Sequence, residues 1–250
     1  MKIALVTGSS RGLGKSMSIE LAKTGYNIIL TYKNSQEEAN KVAHEIKTLG
    51  QDAITLQLDT SKSDTLDNFV DELKKQLEST WQTTKIDLLI NNAGIGIHQS
   101  IFDTTMAQFD ELVNIHIKSP YFLSQKLLSN INDGGKIINI STGLTRFSIE
   151  GFSAYSMMKG AVEVMSKYFA LELGNRNITV NTIAPGAIET DFGGGAVRDN
   201  ENMNQFIASK TALGRAGMPN DIGTAVAALA SQNCNWINGQ RIEISGGMNL

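Results

Sequence analysis

A tyrosine and a lysine, Tyr155 and Lys159, stand four positions apart in the stretch AYSMMKGAVEVMSKYFA. The apolar spacing of this stretch predicts a helix, and residues four positions apart lie on one face of a helix. A free tyrosine has a pKa of about 10, too high for efficient proton transfer near neutral pH, and a nearby ammonium group lowers that pKa. The pair is therefore a candidate proton-transfer group with its tuning cation. Two ordinary residues of an exposed helix would show the same spacing, so the rest of the chain has to decide.

A glycine-rich turn follows the first apolar run of the chain. In VTGSSRGLG the glycines are Gly8, Gly12 and Gly14, and they stand between a predicted strand and a predicted helix. Glycines let the backbone turn tightly and approach a pyrophosphate, whose charge is favourable at a helix N-terminus. The turn therefore predicts a nucleotide site. An NTPase phosphate loop is disfavoured, because GSSRGLGKS has one residue too many between its outer glycines.

Short β-branched runs alternate with longer helical patterns along the whole chain. Near-continuous Ile, Leu and Val residues suit strands that are covered on both faces, and alternation with helices is typical of a parallel, doubly wound sheet. We therefore predict an α/β fold in one domain, 1–250, with helices on both faces of a seven-stranded parallel sheet. The strands are predicted at 2–7, 26–32, 53–59, 85–92, 134–142, 177–185 and 240–245.

Three helical segments carry more specific expectations. The region 104–130 has the pattern of one long helical region, and Ser61 or Ser63 is a candidate N-cap for the helix after the third strand. The segment 191–215 contains a triple glycine and a polar run. It predicts a mobile loop or substrate lid with two short helical pieces.

Composition excludes several classes of protein. The chain has 250 residues, a net charge of −3 and 41% hydrophobic residues, so no broad basic field invites nucleic acid or an anionic membrane. A single cysteine, Cys234, fits a reducing compartment, and three widely separated histidines make a metal site unexpected. Neither a signal peptide nor a run of about 18 apolar residues is present. We expect a cytoplasmic enzyme or binding protein.

Four motifs together resemble the short-chain dehydrogenase/reductase family: TGSSRGLG, NNAG at 91–94, Tyr155 with Lys159, and PG at 185–186. The resemblance covers essentially the whole chain, including the tail INGQRIEISGG. It implies a single Rossmann-like domain and hydride transfer between a nicotinamide cofactor and a small carbonyl or alcohol substrate, as in carbonyl reductases and 3-oxoacyl-carrier-protein reductases. It also implies a homo-oligomer, a dimer or homotetramer, in which the apolar faces of 104–130 and 154–173 would meet.

The resemblance assigns roles to a catalytic set. Tyr155 would be the general acid in reduction and the base in oxidation, and Lys159 would also hold the nicotinamide ribose. The family's catalytic serine, thirteen residues before the tyrosine, is replaced by Thr142. Ser141 stands one place early, and neighbouring strand residues point to opposite faces, so it is not expected to substitute. Asn114 matches the family asparagine that supports a water-linked proton route.

Cofactor choice depends on the end of the second predicted strand, where a site selective for NAD usually offers an acid. Here that position is Tyr32, followed by Lys33, and Arg11 lies in the glycine turn. Two cations without an acid favour a 2′-phosphate, and so NADP(H) over NAD(H). The resemblance implies this cofactor-binding set: Gly8, Ser10, Arg11, Gly12, Leu13, Gly14, Tyr32, Lys33, Asp59, Thr60, Asn92, Ala93, Gly94, Tyr155, Lys159, Pro185, Gly186, Ile188 and Thr190.

Three functions are weighed against one another. An NADP(H)-dependent oxidoreductase that acts on CH–OH donors and their carbonyl products accounts for all four motifs. A nucleotide-sensing protein without turnover is the second, and Thr142 is the feature that supports it. A serine hydrolase is suggested by GFSAY at 151–155, half of a nucleophile elbow, but no histidine follows His116. His98, just after a strand end, is interpreted as a loop residue.

Overall fold

All seven strands lie in one parallel sheet in the computed structural model, which describes residues 1–250. The strand order across the sheet is β3-β2-β1-β4-β5-β6-β7. This confirms the predicted doubly wound, parallel α/β architecture. The strands are β1 (Lys2–Val6), β2 (Tyr26–Tyr32), β3 (Ala53–Gln57), β4 (Ile86–Asn91), β5 (Ile131–Ile140), β6 (Thr179–Pro185) and β7 (Arg241–Ile244).

The register brings the carboxyl ends of the central strands to one edge of the sheet. Val6, the last residue of β1, pairs with Leu30 on one side and Ile90 on the other. Ile90 in turn pairs with Ile138 of β5. Ligands in open α/β sheets bind outside this edge. The glycine turn after β1 and the NNAG segment at the end of β4 therefore meet there, beside the segment after β5 that leads into the helix of Tyr155 and Lys159.

Helices cover both faces of the sheet and bury its Ile, Leu and Val residues in two clusters. One cluster takes side chains from α1, α2 and α9, and the other takes them from α3, α5 and α6. The helices are α1 (Gly12–Lys23), α2 (Gln36–Thr48), α3 (Leu66–Trp81), α4 (Met106–Val113), α5 (Ser119–Leu127), α6 (Ser153–Glu172), α7 (Ala196–Asp199), α8 (Glu201–Ser209) and α9 (Pro219–Leu229). None of them is both long enough and apolar enough to span a lipid bilayer.

The region 104–130 is helical as predicted, but it contains a turn that the sequence did not predict. Thr105 and Gln108 form a reciprocal capping box at the start of α4. A π-helical turn, Asn114–Lys118, then joins α4 to α5. Such turns often occur at functional sites, because the wider hydrogen-bond ring displaces side chains from the regular helical face. Here the turn begins at Asn114.

Neither predicted cap of α3 is used. A short 3₁₀ turn, Ser63–Thr65, leads into the helix, whose N-terminus has no side-chain cap. The Ser61 hydroxyl instead donates to Asp59 Oδ1 at 2.6 Å. The two short helical pieces predicted within 191–215 are present as α7 and α8, which follow three consecutive glycines with positive φ. The role of this segment as a lid stays a prediction.

Candidate active site

The glycine turn after β1 has a conformation that requires glycine. Gly8 and Gly12 have φ values of 64° and 56°, in the left-handed region that side chains disfavour. A Cβ on Gly14 would lie 2.3 Å from the Gly8 carbonyl oxygen. No side chain caps the N-terminus of α1, which begins at Gly12. The compact turn and uncapped N–H groups fit the pyrophosphate of a dinucleotide.

The NNAG segment is hydrogen-bonded directly to this turn. The Thr7 hydroxyl accepts the backbone N–H groups of Asn92 and Ala93 at 2.9 and 3.0 Å. The Asn92 amide donates back to the carbonyl oxygens of Thr7 and Gly8. A Cβ on Gly8 would lie 2.9 Å from Ala93 Cα. The glycine turn and the NNAG segment therefore form one rigid unit.

Asn91, the first residue of that motif, braces the strands beneath it. Its amide donates to Asn139 Oδ1 at 2.8 Å and to Ser124 Oγ at 3.0 Å. The three residues belong to β4, β5 and α5. Asn91 is thus held inside the fold, with a relative exposure of 8%.

The PG segment folds back toward the glycine turn. Pro185 ends β6, and the Gly186 N–H donates to the Ile244 carbonyl at 3.0 Å. The side chain of buried Thr190 lies 3.7 Å from the place where a Cβ on Gly12 would stand. Ile188 packs over Gly217. The predicted nicotinamide-side residues and the predicted phosphate-side residues therefore border the same groove.

The two cations that were expected to meet a 2′-phosphate already have carboxylate partners. Lys33 Nζ lies 3.2 Å from Asp59 Oδ1, and Arg11 Nε lies 3.7 Å from Asp191 Oδ2. Burial opposes ionisation of Asp59, but hydrogen bonds from Ser61 and Lys33 hold its pKa below the usual value. The end of β2 carries no acid, and Asp59, two residues past the end of β3, reaches Lys33 from the neighbouring strand.

The other predicted cofactor residues lie around the same edge of the sheet. Tyr32 is buried at the end of β2, and Leu13 packs on the core beneath the glycine turn. Ser10 is half-buried within the turn. Thr60 lines a small enclosed cavity that also reaches Lys159.

Tyr155 and Lys159 are both buried on α6, with relative exposures of 6% and 5%. The lysine Nζ lies 5.7 Å from the centre of the tyrosine ring and donates to the Ile140 carbonyl at 2.7 Å. Burial lowers the pKa of Lys159 to about 7. Burial also raises the pKa of Tyr155 above its ordinary value, against the effect of a hydrogen bond from Thr142.

The expected lowering of the Tyr155 pKa by the ammonium is therefore wrong for this structure. The cost of placing a phenolate in the buried site outweighs the favourable contacts. The lysine is anchored on a backbone carbonyl and makes no hydrogen bond to the phenol. The result is a protonated phenol at neutral pH.

The two hydroxyls at the end of β5 have different partners. The Thr142 hydroxyl acts on the Tyr155 phenol, whose pKa it lowers, and its Oγ1 accepts the Leu144 N–H at 3.3 Å. Ser141 donates to Glu163 Oε1 at 2.7 Å, on the far side from the phenol. Thr142 is the hydroxyl that stands beside the candidate proton donor.

The π turn carries Asn114 and His116. Asn114 is half-buried, and its carbonyl accepts the N–H of Ser119 five residues ahead. His116 is 2% exposed, and its ring packs edge-on against Tyr155 at 5.4 Å between centroids. Sequence reasoning did not select His116, since only the extra residue of the π turn aims it at the tyrosine.

The His116 imidazole is neutral. Burial, helped by the charge of Lys159, lowers its pKa to about 3. Its Nε2 lies 2.8 Å from the Ile95 carbonyl, while the buried Nδ1 has no protein partner. His116 and Lys159 both line a cavity of about 10 Å³, roughly the room that one water molecule needs.

Aromatic side chains flank the phenol on its open side. The rings of Phe192 and Phe152 lie 5.8 and 6.3 Å from that of Tyr155, between centroids. His98 is exposed and packs edge-on against Phe152 at 4.9 Å. It lies on the loop after β4 with no contact to Tyr155, in line with its interpretation as a loop residue. Phe152 and Phe192, which we call the aromatic rim, thus lie beside the buried phenol of Tyr155.

Comparison with known proteins agrees with this geometry. The family model described as enoyl-(acyl carrier protein) reductase matches residues 8–249. The short-chain dehydrogenase/reductase GME11373 of Pestalotiopsis microspora is 37% identical, over 98% of this chain and 94% of that protein. The trihydroxynaphthalene reductase PfmaI of Pestalotiopsis fici is 32% identical, over 98% of this chain and 88% of its own length.

Solved structures give the same result. The angucycline C-6 ketoreductase LanV with bound NADP superposes with a TM-score of 0.94 and 34% identity, over 99% of this chain and 95% of that one. The reductase LugOII, which carries out keto-reduction at C1 in lugdunomycin biosynthesis, has a TM-score of 0.95 and 34% identity, over 100% and 98%. The matched length, the shared fold and the motifs at the strand ends agree: the chain belongs to the short-chain dehydrogenase/reductase family of oxidoreductases.

Proposed function

We propose that this protein is an NADP(H)-dependent oxidoreductase that interconverts a carbonyl compound and its alcohol, with Tyr155 as general acid and base. The observation that carries the proposal is the position of a buried, protonated phenol. It lies beside the Thr142 hydroxyl and at the same edge of the sheet as a turn that only glycines can form. These positions support a proton donor and a dinucleotide cradle that share one groove.

The cofactor assignment rests on the cradle and on the relatives. The turn at Gly8–Gly14 would hold the pyrophosphate, and Lys33 with Arg11 would meet the 2′-phosphate. Each of these cations would then exchange a carboxylate partner, Asp59 or Asp191, for the phosphate. The LanV structure contains NADP, which supports the same choice here. When bound, the nicotinamide supplies or accepts the hydride.

The protein's own residues supply the proton. The raised pKa of Tyr155 keeps the proton on the phenol, so the residue is a ready donor to a developing alkoxide. Thr142 would donate a hydrogen bond to the same oxygen and polarise the carbonyl. Lys159 would bind the ribose and, with Asn114, support the delivery of a new proton.

The aromatic rim bears on the substrate. Phe152 and Phe192 flank the phenol, and flat aromatic rings pack well against such side chains. By name, PfmaI is a trihydroxynaphthalene reductase and LanV is an angucycline C-6 ketoreductase. We therefore extend the proposal to a ketone carried by, or conjugated with, a ring system. Phe192 lies near the start of the segment 191–215, and its place beside Tyr155 supports the role of that segment as the substrate lid.

The test is a screen of NADPH consumption over matched pairs of carbonyl compounds, aliphatic and fused-ring, with NADH in parallel. We expect turnover with NADPH, and a preference for the ring-containing ketones. Tight NADPH binding without turnover on any carbonyl would instead support the nucleotide-sensing alternative. Equal rates for aliphatic and ring-containing ketones would remove the extension to ring systems while leaving the reductase assignment intact.

A further inference from the structure

Behind Thr142 lies a half-buried carboxylate that gathers three donors on one oxygen. Glu163 Oε1 accepts hydrogen bonds of 2.7, 2.7 and 2.8 Å. The donors are Ser141 Oγ, Thr145 Oγ1 and Arg241 Nε. Glu163 stands one helical turn after Lys159 on α6, so this oxygen connects the catalytic helix with the segment that follows β5.

Arg241 completes the connection from the last strand. Its Nη2 donates to the Thr142 carbonyl at 3.2 Å, and its Nη1 donates to Glu243 at 2.9 Å. The Arg241 and Glu163 side chains are only 22% and 15% exposed. Charge-assisted bonds of this kind are strong and directional, and a guanidinium holds several acceptors in one plane.

The bonds converge on the backbone of Thr142. Its carbonyl accepts Arg241 Nη2 at 3.2 Å, and the Thr145 hydroxyl oxygen lies 3.1 Å from the same carbonyl. Its hydroxyl acts on the Tyr155 phenol. The hydroxyl oxygen of Ser141, the preceding residue, lies 3.4 Å from the Lys159 carbonyl. The segment is thus fixed from behind, while its hydroxyl faces the reacting side.

We propose that Glu163 and Arg241 form a positioning brace that sets the Thr142 hydroxyl against Tyr155 for carbonyl reduction. The inference rests on the proposed function, since Thr142 and Tyr155 perform the step that the brace serves. Neither brace residue touches the reacting atoms. The proposed brace also gives Ser141 a role, because its hydroxyl donates a hydrogen bond to Glu163 and does not act on the substrate.

The neighbouring Arg146 provides a matched control. It donates twice to Glu243, at 2.8 and 2.7 Å, and also to the backbone carbonyls of Met248 and Asn249. It makes no hydrogen bond to Glu163 or to Thr142. Its removal breaks an ion pair of the same kind in the same region but leaves the brace in place.

The experiment compares Glu163→Gln, Arg241→Met and Arg146→Met, with Arg241→Lys added in case Arg241→Met fails to fold. For each variant we measure kcat and KM with a ketone that the parent protein reduces. NADPH affinity is measured by fluorescence, and thermal stability is measured as well. We expect Glu163→Gln and Arg241→Met to lower kcat by about 10- to 100-fold. Their NADPH affinity should stay within about twofold of that of the parent. Arg146→Met should keep the parental kcat. In a Thr142→Val background, Glu163→Gln should cause no further loss, since the hydroxyl being positioned is already gone.

Hydrogen exchange at the Leu144 N–H, which donates to Thr142 Oγ1, gives a readout that does not need turnover. Exchange should be faster in Glu163→Gln and Arg241→Met than in Arg146→Met. The brace is refuted if the kcat losses equal that of Arg146→Met, or if they add in full to the Thr142→Val loss. If Thr142→Val itself turned over normally, or if no ketone were reduced, the proposed function would be at fault. The exchange rates would then decide the brace alone, and unchanged rates would overturn it.

Discussion

Tyr155 and Lys159 are buried side by side, and burial favours the neutral form of each. The phenol therefore keeps its proton at neutral pH, as a donor in reduction requires. The lysine, with a pKa of about 7, exchanges its own proton within the physiological range. A group that titrates there can pass a proton on without a large energetic cost.

The Lys159 pKa has a consequence for stability. From about 7 up to the ordinary 10.5, the unfolded chain holds a proton that the folded chain lacks. The free energy of unfolding should therefore rise with pH in this window and be flat below it. Relative to that of Lys159→Met, the free energy of unfolding of the parent should rise by on the order of 2 kcal/mol between pH 7 and pH 9. The slope should reach up to about 1.4 kcal/mol per pH unit. Urea unfolding of both proteins without cofactor measures the difference, and parallel pH curves would show an unperturbed lysine.

Thr142 and Ser141 offer a test of which hydroxyl acts on the substrate. Thr142→Val keeps the shape and removes the hydroxyl, so kcat should fall by about 10²-fold, the usual effect of removing one such donor, with NADPH affinity unchanged. Thr142→Ser should stay active. Ser141→Ala, which removes one of three donors to Glu163, should be milder. Steady-state kinetics on one ketone measure all three, and a normal Thr142→Val beside an inactive Ser141→Ala would reverse the assignment.

At this scale the sequence predicted which residues meet, but not their protonation. Strand alternation was enough to separate Thr142 from Ser141. The direction of the Tyr155 pKa shift was not predictable, because it depends on burial by distant parts of the chain. His116 was missed for a related reason, since its approach to Tyr155 requires the π turn.

The glycine turn is the element in which the backbone matters most. A Cβ at Gly14 would lie 2.3 Å from the Gly8 carbonyl oxygen, so Gly14→Ala must displace the turn. We expect a loss of about 1–3 kcal/mol in the free energy of unfolding and weaker NADPH binding. Gly160→Ala on α6 is the control, because a Cβ there meets nothing within 4 Å, and alanine favours a helix by about 0.5–1 kcal/mol. Equal stability in the two variants would show that the turn tolerates a side chain.

The strands were the elements that the sequence predicted best. Most of their residues are buried between two helical layers, so uninterrupted Ile, Leu and Val runs mark them directly. β5 is the exception, since it begins at Ile131 rather than at 134, with a register irregularity against β4. The π turn and the uncapped start of α3 were not predictable from spacing, because each depends on which partner a backbone or side-chain group finds in the folded chain.

Across the whole molecule, the sheet gathers motifs that are far apart in sequence. Alternating strands and helices predicted a parallel sheet, but the strand order depends on how the layers pack. That order puts β1 between β2 and β4, so the glycine turn lies beside both Lys33 and the NNAG segment. The chain's separate local signals become one groove only through this arrangement.

Cofactor binding should be visible in the stability of the whole chain. A ligand present at 100 times its Kd raises the free energy of unfolding by about 2.7 kcal/mol. We expect NADPH to raise the melting temperature more than NADH at equal concentration, and Lys33→Ala to remove most of that difference. Lys41→Ala, which removes an exposed cation paired with Glu38 on α2, is the control. Equal shifts for both cofactors in the parent would contradict the assignment of Lys33 to the 2′-phosphate.

The central claim is that the Tyr155 phenol delivers the proton in an NADPH-dependent carbonyl reduction. The most direct measurement compares the turnover of Tyr155→Phe with that of the parent protein on one ketone that the parent reduces. NADPH affinity is determined for both proteins. The substitution keeps the ring that packs against His116 and Phe192 and removes only the transferable proton. We expect unchanged NADPH affinity and a fall in kcat of about 10²- to 10⁴-fold. A variant that turned over like the parent would show that another group donates the proton.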